Sequence, residues 1–149
     1  MQREYPAAPL VGVGAVIVES GKILLIRRGH EPMKGHWSLP GGALEVGEQL
    51  TEGVIREAKE ETGLNVEVLE LVELLDRIFR EKQRVQYHYV IADYLCRVKS
   101  GTLHAASDAD EARWFERKEW NDSESFQLDS VLVRVMESGW QRWRKLKMA

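Results

Sequence analysis

Residues 42–64 read GALEVGEQLTEGVIREAKEETGL, with five residues separating Gly42 from Glu48 and seven separating Glu48 from the Arg56-Glu57 pair. The stretch closes on Glu60-Glu61-Thr62-Gly63-Leu64. Leu50, Val54, Ile55 and Ala58 recur at helical spacing and predict a helix over about residues 49–62, with Gly63 where a left-handed C-terminal cap is wanted. On that helix Glu57, Glu60 and Glu61 stand at i, i+3 and i+4, so three carboxylates crowd one face within a turn. Like charges so placed repel by about 0.2–0.5 kcal/mol per pair, and a helix needing only solubility would interleave them with Lys or Arg. The face calls for a cation. Oxygen donors, with no paired cysteines and no histidine at ligand spacing, favour a hard ion such as Mg²⁺ or Mn²⁺ over Zn²⁺. Mg²⁺ keeps waters and binds phosphates, so the chemistry implied is that of phosphate esters and anhydrides.

The pattern Gly-x5-Glu-x7-Arg-Glu-hydrophobic-x-Glu-Glu-x-Gly-hydrophobic resembles the signature of the Nudix hydrolase family, and every position is met. The flanking Trp37-Ser38-Leu39-Pro40-Gly41-Gly42 and the later Glu111-Ala112-Arg113-Trp114-Phe115 are similar to the family as well. The resemblance implies an α/β domain, the Nudix fold, in which a mixed β-sheet is sandwiched between α-helices and the signature forms a loop–helix–loop. It also implies a metal-dependent pyrophosphohydrolase that cleaves the diphosphate linkage of a nucleoside diphosphate derivative by water attack at phosphorus. ADP-ribose, another nucleotide sugar and a nucleoside triphosphate all remain open as substrates. The proline that follows the signature in many ADP-ribose hydrolases has no counterpart here, where Phe79 and Arg80 stand.

The same resemblance makes Glu57, Glu60 and Glu61 catalytic metal ligands, with the Gly41 carbonyl and Glu48 joining them. Glu48 equally suits the positive end of a helix. Arg56, inside the acidic cluster, is assigned to orienting Glu48 or a neighbour through a bidentate bond. The tandem Gly41-Gly42 permits a tight turn that turns backbone groups toward metal and phosphate, and Gly53 leaves room for close backbone approach. Glu111 stands where the family's late acidic residue reaches back as general base, in competition with Asp108 and Asp110. Arg28, ending an apolar strand, is a candidate for substrate phosphate, and Trp37 for stacking on a base, with packing as its competing role. Two other readings are a nucleotide-sensing module without turnover and an RNA 5′-end pyrophosphohydrolase.

At 149 residues the chain fits one domain, residues 1–149. A formal charge of −3 gives no bulk attraction to nucleic acid or to an anionic membrane. The partner expected is therefore a small molecule. Cys96 is the single cysteine and sits in an apolar segment, which fits a core thiol in a reducing, cytoplasmic setting. The longest apolar run, Val11 to Val18 with two glycines, falls far short of a membrane span.

Elsewhere, Leu10 to Glu19 and Lys22 to Arg28 predict a hairpin of strands buried on two faces, turned at Ser20-Gly21. Trp37 to Leu39 predicts a short strand stopped by Pro40-Gly41-Gly42. Leu64 to Leu75 and Val85 to Val98 predict further strands, with the charged Asp76 to Arg84 as strand end or hairpin loop. Lys99 to Asp110 reads as a polar loop and Ala112 to Phe115 as a short strand. Leu132, Val135, Met136, Trp140, Trp143 and Leu146 mark a C-terminal amphipathic helix. Its basic end, Arg142, Arg144, Lys145 and Lys147, suits the helix dipole, with a second copy of the chain as a further partner for that surface.

Overall fold

The computed structural model describes residues 2–106 and 109–148. In chain order its elements are β1 (Leu10–Glu19), β2 (Lys22–Arg28), β3 (Trp37–Ser38), β4 (Gly41–Ala43), α1 (Leu50–Thr62), β5 (Leu64–Glu81), β6 (Arg84–Gly101) and β7 (Ala109–Phe115). The short helices α2 (Arg117–Asn121) and α3 (Ser123–Phe126) then lead into α4 (Ser130–Met148). The sheet is mixed: β1 runs parallel to β6 over residues 10–17 and antiparallel to β4, while β5 and β6 form a long antiparallel pair. β1 turns into β2 through Ser20 and Gly21, both with positive φ, and β7 pairs antiparallel along β2.

Alternation along β1 divides the core. Val13, Ala15 and Ile17 pack with Val54 and Ala58 of α1, whereas Val16 and Val18 pack with Leu132, Val135 and Met136 of α4 and with Trp120 of α2. The sheet is thus a filling between α1 on one face and α4 with its short companions on the other, the α/β/α arrangement that the resemblance implies. No helix among the described residues is long and apolar enough to cross a membrane. Cys96 is fully buried, and burial pushes its thiol up to about 12, as suits an inert core residue.

Several sequence expectations need correction. The α1 stripe is Val54, Ala58 and Thr62, one every fourth residue; Leu50 and Ile55 lie on the shoulders of that narrow contact and are exposed. Gly41 and Gly42 do not stop a strand but form β4, opposite Gly14 and Val13. The charged segment 76–84, expected as strand end or hairpin loop, is both: β5 and β6 extend as a two-stranded ribbon, turned at Lys82 and Gln83, whose φ values of 50° and 68° are those of a primed hairpin turn. The loop expected over 99–110 shrinks, because β6 continues to Gly101 and β7 begins at Ala109. Helices α2 and α3 are too short to leave a period in the sequence. Leu146 is exposed.

Glu137 of α4 ties α2 in place. It accepts hydrogen bonds from Arg117 Nε (3.2 Å) and Nη2 (2.5 Å), from Trp120 Nε1 (3.1 Å) and from Gln141 Nε2 (3.0 Å). Arg117, foremost, brings its carboxyl down from 4.5 to about 2. A carboxylate with a depressed native pKa contributes stability above its ordinary value and loses it as pH falls toward the depressed one. Glu137→Gln is therefore expected to cost about 1–3 kcal/mol at pH 7. The gap to the parent protein should close between about pH 4.5 and 2 in urea-denaturation midpoints, and a gap constant across that range would refute the assignment.

Candidate active site

The acidic end of α1 is built around Arg56. Its guanidinium grips both oxygens of Glu48 (Nε–Oε2 2.6 Å, Nη2–Oε1 3.0 Å) and donates to Glu57 Oε1 (2.9 Å), Glu60 Oε2 (3.3 Å) and the Ala43 carbonyl (3.1 Å). Glu48 also accepts from the Glu45 amide at 3.0 Å, which closes the loop ahead of the helix. Held mainly by Arg56, the Glu48 carboxyl titrates below the usual range, and Arg56 in turn is stabilised as a cation, foremost by Glu48. At the other end Gly63 caps α1 at φ 77°, its amide bonding the Lys59 carbonyl.

Strand β4 meets these carboxylates with backbone alone. The Gly41 amide donates to Glu61 Oε1 at 2.7 Å, and Glu61 is only 3% exposed. A Cβ on Gly42 would lie 2.5 Å from Glu57 Oε1, so glycine is what lets that carboxylate rest on the strand. Gly53, one turn before Glu57, is closed in by Leu44, Glu48 and Val13. The fold thus gathers Glu48, Arg56, Glu57, Glu60, Glu61, Gly41 and Gly42. Among the described residues no three acidic, histidine or cysteine groups form a ready-made ion cage, Arg56 standing between its neighbours.

Glu111 is not brought to this cluster. It is exposed on β7 across from Arg27. Ala112 and Trp114 pack toward α1, so alternation turns Glu111 to the opposite face, with Arg113 and Phe115. A register shift between Arg27 and Arg28 leaves Asp110, not Glu111, beside the irregular step. The loop before β7 does dock on the end of α1, through His104 N to Thr62 O (2.9 Å) and Ala106 N to Glu61 O (3.2 Å). Asp108, the other acidic candidate, lies outside the described residues.

On the α4 side of the sheet a mostly apolar groove runs up to β4. Gly12, Gly14 and Gly41 to Ala43 form its floor, and Leu75, Phe79, Tyr89, Ile91 and Leu132 contribute to its walls. Arg28 and Trp37 both line it. Arg28 Nε donates to the Pro32 carbonyl at 2.7 Å, which fixes its head at the rim. Trp37 is largely buried, edge-on to Phe115 with centroids 5.1 Å apart and capped by Arg27, so most of its ring serves packing. Sequence reasoning missed Asp93, which also lines the groove and is 6% exposed. A lone aspartate between Ala92 and Tyr94 in an apolar strand was the available signal, since a buried polar residue is the informative exception.

Residues 8–134 match the model of the NUDIX domain family. The chain belongs to the Nudix family. An ADP-ribose pyrophosphatase of Methanocaldococcus jannaschii is 40% identical over 108 residues, which cover 72% of this chain and 62% of that protein. A MutT-like protein of Streptomyces ambofaciens is 35% identical over 115 residues, covering 75% and 68%. The structure of a MutT NUDIX hydrolase from Burkholderia pseudomallei superposes with a TM-score of 0.75 at 31% identity, covering 88% of this chain and 98% of that one. The match therefore spans less than two thirds of the archaeal relative's own length.

Burial raises the Asp93 carboxyl from 3.8 to about 7, with Glu73 adding to the shift and Arg77 opposing it. A raised native pKa for an acid means that the native state holds the proton more tightly, so stability is full below about pH 4 and is lost as pH rises through 7. Asp93→Asn should match the parent protein near pH 4 and exceed it by up to about 4 kcal/mol at pH 8. Urea denaturation across that range checks this, and a gap between variant and parent no larger at pH 8 than at pH 4 would contradict it.

Proposed function

We propose that this Nudix domain is a metal-dependent pyrophosphohydrolase of nucleoside diphosphate derivatives, with ADP-ribose or a related nucleotide sugar as substrate. The observation that carries the reading is the seating of Glu57 and Glu61, one helical turn apart, against the bare backbone of Gly41 and Gly42 beside a mostly apolar groove with Arg28, Phe79 and Tyr89 in its lining. The donor set is wholly oxygen, and glycine at position 42 lets the Glu57 carboxylate rest against the strand beside the others, so the residues present fit a hard divalent ion such as Mg²⁺ or Mn²⁺. Glu57, Glu61 and Glu60 would hold it, with the Gly41 carbonyl within the same strand and Glu48 behind Arg56. When bound, such an ion neutralises phosphate oxygens and lowers the pKa of water.

Arg56 fixes the array: with Glu48 clamped by two bonds, it keeps Glu57 and Glu60 from swinging apart under mutual repulsion. Glu60, exposed and held by Arg56 at 3.3 Å, is the carboxylate freest to accept the proton of the attacking water. The Gly42 backbone admits the diphosphate closely, and Arg28 at the groove rim supplies a positive head for its outer phosphate. Trp37 contributes a ring edge to the groove wall. The name of the archaeal relative, an ADP-ribose pyrophosphatase, supports the nucleotide-sugar class. A cytoplasmic setting suits the buried Cys96 thiol.

Glu57→Gln and Glu61→Gln are each expected to lower kcat by roughly 10²–10³-fold on ADP-ribose with Mg²⁺, with folding retained. Chelation should abolish the parent activity and Mg²⁺ restore it. Product analysis of ADP-ribose, nucleotide sugars and nucleoside triphosphates settles the class, and full turnover by both variants would end this reading. Gly42→Ala offers a separate check. Its new methyl displaces the Glu57 carboxylate, a flexible end, so Mn²⁺ binding followed by electron spin resonance should weaken about 10- to 100-fold while the melting temperature stays close to that of the parent protein.

A further inference from the structure

Asp93 has no place in the hydrolytic array, yet it is one of the most deeply set charged groups in the molecule, 6% exposed at the groove. No hydrogen bond or ion pair from a described residue reaches its carboxylate. Arg77, the nearby cation of the groove, is engaged elsewhere: it bonds Asp129 at 3.0 Å and lies over the Phe79 ring. A desolvated carboxylate without donors is costly, so its donors come from what enters the groove. The chain also makes room for it, since a Cβ on Gly14 would overlap Asp93 Oδ1.

Its place in the sheet says which part of a ligand it meets. Gly41, Gly14 and Asp93 lie side by side on β4, β1 and β6. At roughly 4.8 Å per strand, Asp93 is about 10 Å from the residue whose amide holds Glu61. That is the reach of a sugar joined to a diphosphate. Tyr89, four residues farther along β6, stands about 13 Å away, at the aromatic end with Phe79, where a flat base fits. A carboxylate repels phosphate and accepts from neutral donors, and two adjacent hydroxyls satisfy both of its oxygens.

We propose that Asp93 is a specificity residue that accepts hydrogen bonds from the vicinal hydroxyls of the sugar attached to the substrate's diphosphate, so that the groove selects ribose-bearing ligands over their deoxy counterparts. This rests on the hydrolase reading for its substrate, and its test separates the two. With Mg²⁺ at pH 8, kcat/KM is compared for ADP-ribose and its 2′-deoxy analogues on either ribose, and for ATP and 2′-dATP, in the parent protein, Asp93→Asn and Asp93→Ala. The parent protein should favour the full diol by about 10- to 100-fold, and the preference should fall to near unity in Asp93→Ala through loss on the ribose substrate. The analogue whose missing hydroxyl abolishes the parent's preference tells which of the two sugars is read.

Calorimetric titration of the same ligands into Glu57→Gln, with and without Asp93→Ala, gives the ratio in affinity where no turnover is needed. Equal treatment of ribo and deoxy ligands by the parent protein, or a preference that survives in Asp93→Ala, overturns the role of Asp93. Absence of hydrolysis in every arm overturns the hydrolase reading, and the calorimetric ratio still decides on Asp93.

Discussion

The two-pronged bond between Arg56 and Glu48 is the contact on which the acidic end of α1 depends. Glu57, Glu60 and Glu61 share less than two turns of helix, and Arg56, four residues before Glu60, is the cation at helical spacing beside them. One guanidinium, fixed by a carboxylate in the preceding loop and by the Ala43 carbonyl, supplies positive charge to Glu57 and Glu60. Arginine is suited to this because its planar fork reaches several acceptors at once, where a lysine head is a single flexible point.

β4 lets this array communicate with the groove. It is three residues long and nearly free of side chains, and its alternation sets Gly42 against Glu57 on the α1 side and Gly41 and Ala43 toward the α4 side. The carboxylates and the apolar groove therefore lie on opposite faces of the sheet and meet around one bare edge. An extended ligand can keep its base and sugar on one face and present its anhydride to the other. The parallel pairing of β1 with β6 supplies the remaining wall, bringing Tyr89, Ile91 and Asp93 alongside residues some eighty positions earlier in the chain.

Legibility in the sequence followed how local each signal was. Helix α1, its glycine cap and the clustering of its glutamates are set by spacing within one element, and all could be read directly. The β1–β2 hairpin could be read too, because Ser20-Gly21 is turn chemistry between apolar runs. The full extent of the ribbon beyond residue 75 was harder to read: charged residues interrupt its apolar ones, and its turn uses Lys82 and Gln83 in place of Asn-Gly. The face that Glu111 occupies was not legible, because motif position carries no information about which side of a strand a side chain takes. For Asp93 the sequence offered a polar residue in an apolar strand, but its setting over Gly14 appears only with the long-range pairing of β1 and β6.

The packing of Gly14 against Asp93 carries an implication for descent. A larger residue at position 14 would collide with the carboxylate, so position 14 can grow only where residue 93 has given way. Paralogues that trade both together, a small apolar side chain filling at 14 what is vacated at 93, would be the natural route by which this scaffold acquires a different taste in sugars.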